Sequence, residues 1–235
     1  MTVLITRPEP EASTFAQMCM DHGRKAIVSP LMEILIYDCE IDLTGVGSLA
    51  FTSVNGVRAF AQNNAERQLP VFAVGEASRD AARAAGFEDV HTADGDVDAL
   101  AVLIAAQHKS AAGAALHCAG ATRAGDLVKA LEGKNLRARR DVLYEARPIA
   151  ALSDAAIAAL NVEKSVDWVA LFSPRSARLF LDAIGQAALT ASLSRVRAAC
   201  LSDAVAEQLA GMSWKSVHVA ARRDAASMVE LFSNA

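Results

Sequence analysis

The sequence predicts an α/β fold of two similar domains, each a parallel sheet with helices on both faces. Three observations carry this reading. Short apolar runs alternate with helix-spaced segments along the whole chain, the pattern of parallel sheets covered on both faces. Two stretches repeat: 49–60 reads LAFTSVNGVRAF and 169–180 reads VALFSPRSARLF, so Ser53 falls on Ser173, Arg58 on Arg178 and Phe60 on Phe180. The match resumes downstream, where 72–93 lies over 199–220 without a gap; Ala77 meets Ala204, Phe87 meets Trp214, and Val90-His91 recurs as Val217-His218. Finally, two extended segments, 31–37 (LMEILIY) and 142–149 (VLYEARPI), lead out of the alternating blocks and suit a pair of connecting strands.

Residues 2–6 read as a short apolar strand, and Arg7-Pro8-Glu9-Pro10-Glu11 opens a helix. Proline suits the first turn because its missing N–H has no partner there, and the acids complement the positive helix end. Ala12, Phe15, Ala16 and Cys19 keep helical spacing until Gly23, and a strand at 26–28 stops at Ser29-Pro30. Strands at 49–52, 71–74, 90–92 and 114–118 then alternate with four helices. The first carries Val57, Phe60 and Ala61, and the second runs from near Glu76 to Gly86. Asp96 N-caps the third, which holds Val97, Leu100, Ala101 and Ile104. The fourth presents Ala124, Leu127, Val128 and Leu131 and closes at Gly133. Beyond the second extended segment, Ser153 caps a short helix, and strands follow at 168–172, 196–201 and 216–219. Between and after them come a helix with Ala177, Phe180, Leu181 and Ile184, a helix to Gly211, and a last helix capped by Asp224. Residues 185–194 are the nearest thing to a loose linker.

A chain of 235 residues suffices for two domains of about a hundred residues each. The blocks run A, B, A′, B′, and A can pair with B, or with B′ so as to enclose B and A′. The extended segments favour the second arrangement: a domain of 1–35 plus 150–235, a domain of 38–141, and linker strands 31–37 and 142–149. With 53% hydrophobic and only 5% aromatic residues, the cores are aliphatic. A net charge of −4 gives no support to a nucleic-acid partner. No apolar run approaches the roughly 18–20 residues of a membrane span, and MTVLITRPEP turns acidic too early for a signal peptide. A cytoplasmic protein without a membrane partner is expected. Cys19, Cys39, Cys118 and Cys200 are scattered, as reduced core thiols would be, and the five histidines form no ligand-spaced cluster. No metal is expected.

Open parallel sheets bind ligands outside the carboxyl ends of their strands. Those ends carry Thr6-Arg7, Thr52-Ser53-Val54-Asn55, Gly75-Glu76, Gly120-Ala121-Thr122-Arg123, Ser173-Pro174-Arg175-Ser176 and Ser202-Asp203. Small hydroxyl residues at helix N-termini leave backbone N–H groups for anions, and arginines stand close behind. The candidate binding set is therefore Thr6, Arg7, Thr52, Ser53, Asn55, Gly75, Arg123, Ser173, Arg175, Ser176 and Ser202, suited to a ligand with several carboxylates or phosphates. A plainer reading stands beside it: Ser53, Ser173 and Ser202 as simple N-caps, Arg58 and Arg178 as solvated helix surface, Tyr144 as packing on a connecting strand. Residues 120–125 (GATRAG) continue Asp126-Leu127 rather than Lys-Ser/Thr, which fails as a phosphate loop, and no GxGxxG follows a strand.

Taken together, Thr6-Arg7-Pro8, the run FTSVNGV from Phe51 to Val57, Ala73-Val74-Gly75, the Tyr144 segment and Phe172-Ser173-Pro174-Arg175-Ser176-Ala177 resemble uroporphyrinogen-III synthase over nearly the whole chain. One departure is Leu201-Ser202-Asp203-Ala204-Val205, where the family often has an Ile-Gly-Pro-Thr-Thr-like turn. The resemblance implies two duplicated, flavodoxin-like α/β domains joined by a two-stranded β-ladder, with the active site in the cleft between them. It also implies a cofactor-free cyclisation of hydroxymethylbilane, a linear tetrapyrrole with eight carboxylates, to uroporphyrinogen III. Water is lost and ring D is inverted through a spiro intermediate. Unaided closure gives the uninverted isomer, so such a protein holds an improbable substrate conformation more than it supplies strong acids or bases. Tyr144 falls where the family places a tyrosine on the second linker strand, as a proton donor to the leaving hydroxyl. A monomer is expected, with transient hand-over from hydroxymethylbilane synthase. The rival is a cytoplasmic two-lobed sensor of a polyanionic small molecule.

Overall fold

The computed structural model describes residues 1–122, 125–162 and 165–233. In chain order the elements begin β1 (Thr2–Ile5), α1 (Glu11–Asp21), β2 (Lys25–Val28), β3 (Met32–Ile36), β4 (Val46–Phe51), α2 (Val54–Asn63) and β5 (Val71–Ala73). Next come α3 (Glu76–Ala84), β6 (Val90–Thr92), α4 (Val97–Gln107), β7 (Ala114–Gly120), α5 (Leu127–Glu132) and β8 (Ala138–Pro148). The chain finishes with α6 (Asp154–Asn161), β9 (Trp168–Leu171), α7 (Pro174–Gln186), β10 (Arg197–Cys200), α8 (Asp203–Ala206), β11 (Ser216–Val219) and α9 (Ala225–Glu230). It divides into a first unit, Met1–Glu33 with Arg147–Ala235, and a second unit, Ile34–Ala146.

The first unit holds a parallel sheet in the order β11-β10-β9-β1-β2. Read from β1, that is the flavodoxin order 2-1-3-4-5. Every residue of Val3, Leu4 and Ile5 is fully buried, because helices cover both faces and the strand has no solvent side. Leu4 packs on one face with Val169, Leu171, Ala198 and Cys200. Val3 and Ile5 point the other way, to Trp168, Ala170 and Ala199, as the two-residue period of a strand requires. There α1 and α9 close the core, with Phe15 edge-on to Phe172 at 4.9 Å and to Phe232 at 6.2 Å.

The second unit's sheet runs β3-β8-β7-β4-β5-β6. From β8 to β6 the pairs are parallel. Tyr37 N–H donates to Leu143 C=O and Ile149 N–H to Leu31 C=O, each at 2.9 Å, which sets β3 antiparallel to β8. Thus β4, β5, β6, β7 and β8 occupy the places that β9, β10, β11, β1 and β2 hold in the first unit. The two units are circular permutations of one another. Side chains repeat with the strands: Phe60 packs on Phe87 at 5.9 Å, and their counterparts Phe180 and Trp214 lie 6.0 Å apart.

Local rules account for most helix ends. Asp96 accepts from the Asp98 and Ala99 N–H groups, Ser153 from Ala156 and Asp224 from Ser227, so each caps its helix. Three expectations need correction. Residues 185–194 are not a loose linker, since α7 extends through Gly185 and a 3₁₀ turn at Thr190–Arg195 buries Ser192 and Leu193. The helix expected to run to Gly211 is α for only four residues and then tightens to 3₁₀ at Glu207–Leu209. Strand β8 is more than a connecting strand, because residues 138–142 pair with β7 and, after a shift of register, Tyr144 pairs with Gly120. The thiols are free, and Cys19, Cys118 and Cys200 are buried. Burial pushes Cys19 up to about 11, Cys200 up to about 12 and Cys118 well above its ordinary value, which leaves them unreactive at neutral pH.

The second unit is one continuous segment with its own core around Leu49, Phe51, Phe60 and Leu116. A fragment of residues 34–146 is expected to fold alone, with slow hydrogen exchange at the amides of β4 and β7. A fragment exchanging at random-coil rates throughout would refute this.

Candidate functional site

At the carboxyl edge of the second unit's sheet lies a cavity of about 260 Å³. Thr52, Ser53, Val74, Asp96, Val97, His117, Gly120, Arg140 and Tyr144 are among its lining residues. Parallel register explains the grouping. Ala50 pairs with His117, and His117 with Arg140. Thr52, two residues beyond Ala50, therefore shares a face with both. Its Oγ1 lies 3.0 Å from His117 Nε2. His117 is buried, and its Nδ1 has no hydrogen-bond partner among the described residues. Burial, and then the positive charge of Arg140, push its pKa down to about 4, against a smaller opposing pull from Asp126. At neutral pH the imidazole is uncharged.

Arg140 donates to the carbonyls of Gly120 and Ala121, tying β8 to the turn after β7. Ala121 N–H returns a bond to Tyr144 C=O at 2.8 Å. A glycine makes room for the phenol here: a Cβ on Gly120 would lie 2.8 Å from Tyr144 Cζ and 3.0 Å from its hydroxyl oxygen, so the ring would have to shift. The phenol ring rests against that gap, and its hydroxyl makes no hydrogen bond among the described residues.

Two helix N-termini reach the same cavity and differ in charge. Asp96 caps α4 with its own carboxylate, which offsets that positive end. Ser53 caps α2 by accepting the Asn55 N–H at 3.0 Å, and α2 has no acid in its first turn. This end of α2 keeps its affinity for an anion. It sits close to β7 because residue 56 is glycine; a Cβ there would lie 2.5 Å from the Cys118 carbonyl oxygen. Asn55 and Gly75 stand on the same edge, in the first turn of α2 and as the N-cap of α3, outside the cavity lining.

In the first unit, Thr6 is fully buried and its hydroxyl donates to Ala170 C=O at 3.3 Å. The Arg7 guanidinium lies 4.3 Å over the Phe172 ring. Ser173 and Ser176 form a reciprocal capping box at the start of α7, with Ser176 buried and half-buried Arg175 beside it. Ser202 opens α8 without a side-chain cap bond. Arg123 lies outside the described residues.

The family model described as uroporphyrinogen-III synthase HemD matches residues 13–230. The chain belongs to the uroporphyrinogen-III synthase family. The fold agrees with solved structures of that name. The uroporphyrinogen-III synthetase of Helicobacter pylori superposes with a TM-score of 0.69 at 16% identity, covering 99% of this chain and 98% of that one. A mutant uroporphyrinogen-III synthase of Thermus thermophilus gives 0.58 at 18% identity, covering 100% and 98%. No curated protein matches. The family's reaction is the lyase cyclisation of hydroxymethylbilane in tetrapyrrole biosynthesis, and the sensor reading is not favoured. Among the described residues no helix is long and apolar enough to cross a membrane, and no group of three or more His, Cys, Asp or Glu could hold a metal ion.

For a uroporphyrinogen-III synthase, the cavity gathers Thr52, Ser53 and Tyr144 from the sequence-nominated set and adds two residues that sequence reading passed over. His117 sits inside the apolar run Ala114–Gly120, and Arg140 lies in β8 just ahead of the 142–149 segment read as a linker strand. An ionisable residue interrupting a buried strand was the available signal for His117. Nothing local marked Arg140, whose place depends on pairing across β7 and β8.

Proposed function

We propose that this chain closes hydroxymethylbilane to uroporphyrinogen III, and that the second unit's cavity holds the reacting end of the substrate. The family match over residues 13–230 carries the reading. The cavity supports it with a phenol, a threonine hydroxyl and an open helix N-terminus around one space.

Tyr144 is the proposed general acid. A phenol donates a proton to the departing hydroxyl while the pyrrole nitrogen's electrons expel it, so the group leaves as water. The substituted carbon of ring D attacks the electrophilic methylene, and the spiro intermediate fragments and recloses with ring D inverted. The proton released as the last ring regains aromaticity restores the phenol. Thr52 and Ser53 bind substrate oxygens by side chain, and Asn55, Gly75 and Arg123 belong to the same proposed set. Arg7, Ser173, Arg175 and Ser202 are its members at the first unit's strand ends. Thr6 and Ser176 contribute through backbone and shape, since both hydroxyls are bonded internally. The chain acts as a monomer in the cytoplasm, without cofactor or nucleic acid, and takes hydroxymethylbilane by transient hand-over from its synthase.

Incubation with hydroxymethylbilane followed by isomer separation tests the activity; an isomer ratio equal to the protein-free control would refute it. Tyr144→Phe removes one hydroxyl and should fold normally. Its expected effect is a rate loss of about tenfold, smaller than a typical general acid because the leaving group is already pushed out. Escaped substrate should also raise the share of uninverted isomer. Wild-type rate and ratio would reduce Tyr144 to packing.

A further inference from the structure

We propose that His117 is a positioning residue that fixes Thr52 as a hydrogen-bond donor aimed into the cavity, where it meets a carboxylate oxygen of the substrate. This rests on the reading of the cavity as the substrate site.

His117 offers two nitrogens to two unlike surroundings: Nε2 faces Thr52 Oγ1 at 3.0 Å, and Nδ1 is buried without a partner among the described residues. A buried N–H without an acceptor is rarer and costlier than a buried lone pair. The hydrogen-bond pattern therefore assigns the proton to Nε2. That N–H donates into Thr52 Oγ1, so the threonine's own hydrogen is left to point elsewhere. Thr52 is half-buried and lines the cavity, and Oγ1 has no other hydrogen bond among the described residues. Its hydrogen points into the cavity.

Charge favours the same arrangement. The groups around the imidazole are the Arg140 guanidinium, beside it in register, and Asp126. A protonated imidazole would face Arg140 in a buried place, so His117 stays neutral and transmits orientation rather than charge. Without it, Thr52 Oγ1 can turn its hydrogen inward and present lone pairs to the cavity, which repel a carboxylate. With it, Thr52 adds a donor beside the open N-terminus of α2. Such a donor selects an anionic oxygen over a pyrrole N–H.

Two measurements decide the matter. The first is the ¹⁵N-resolved tautomer of His117 in the intact protein, near neutral pH and without ligand. A proton on Nε2 is expected, and a proton on Nδ1 overturns the proposal. The second is a double-mutant cycle read as kcat and KM with hydroxymethylbilane. Thr52→Val should raise KM about tenfold, the loss of one bond to a charged group, with kcat within twofold and recovery in Thr52→Ser. His117→Phe should raise KM by a smaller factor, and the double variant should be no worse than Thr52→Val. Additive effects, or an unchanged KM in Thr52→Val or in a folded His117→Phe, overturn the proposal. Should His117→Phe fail to fold, His117→Gln takes its place: its side-chain amide can donate to Thr52, and KM should stay within twofold of wild type. A large KM rise in His117→Gln with normal folding is a contrary result. Wild-type protein inactive on hydroxymethylbilane would refute the proposed function itself, a result distinct from active enzyme with an unmoved KM.

Discussion

Gly56→Ala is expected to destabilise the second unit by about 3 kcal/mol or more, at the upper end of what overpacking a core costs. The added methyl would lie 2.5 Å from the Cys118 carbonyl oxygen, and neither partner is a side chain that can swing aside. Helix α2 must lift off β7 or the strand must bend, and Val57, Ala59 and Phe60 on the buried face of α2 move with it. For a chain of this size the melting transition should fall by roughly 10 °C. The same displacement withdraws Ser53 and the N-terminus of α2 from the cavity, so activity should drop even below the transition temperature. Calorimetry with a kinetic assay on the folded variant checks both. A variant melting within 2 °C of wild type, on the order of the shift that about 1 kcal/mol brings, would show that α2 has room to give.

Acid should destabilise the protein through His117 by about 3 kcal/mol, at 1.36 kcal/mol per pH unit of displacement. Its folded pKa, about 4, is depressed below the ordinary value of 6.5. Between those values the unfolded chain binds a proton that the folded chain refuses. The contribution is therefore complete above about pH 6.5, declines as pH falls through the window, and is gone below about 4. Carboxylates titrate across part of the same range, so the informative quantity is a difference. Denaturant unfolding of wild type and His117→Gln at pH 7, 5.5 and 4 should show wild type losing about 3 kcal/mol relative to the variant as the pH drops. Parallel curves would mean that His117 protonates in place.

The elements were legible where a rule acts over a few residues. Caps at Asp96, Ser153 and Asp224 follow from a carboxylate or hydroxyl standing before an apolar helix. The repeat was visible because sheets covered on both faces need apolar runs, and the same runs recur with Phe60 over Phe180 and Phe87 over Trp214. Thr52, Ser53 and Tyr144, which line the cavity, were nominated by the rule that ligands sit at strand ends together with the family resemblance. His117 and Arg140 escaped because their meaning lies in strand register, which is settled by packing far away in sequence. The early tightening of α8 escaped for another reason: the 3₁₀ turn at Glu207–Leu209 carries no Gly or Pro to mark it, and no stop residue precedes Gly211.

The order of β1 and β9 also imposes a timetable on synthesis. Strand β1 is an interior strand flanked by β2 and β9, yet Trp168, the first residue of β9, is translated only after the whole second unit has been made. At about 5–20 residues per second, the nascent β1-α1-β2 segment waits on the order of ten seconds with one apolar edge unpaired. So short a segment has too little core to stand alone, and an open strand edge invites pairing with other chains. The second unit, complete at Ala146, can fold during that wait. Newly made protein is thus most exposed to aggregation at the β1-α1-β2 segment, until β9 arrives to cover its edge.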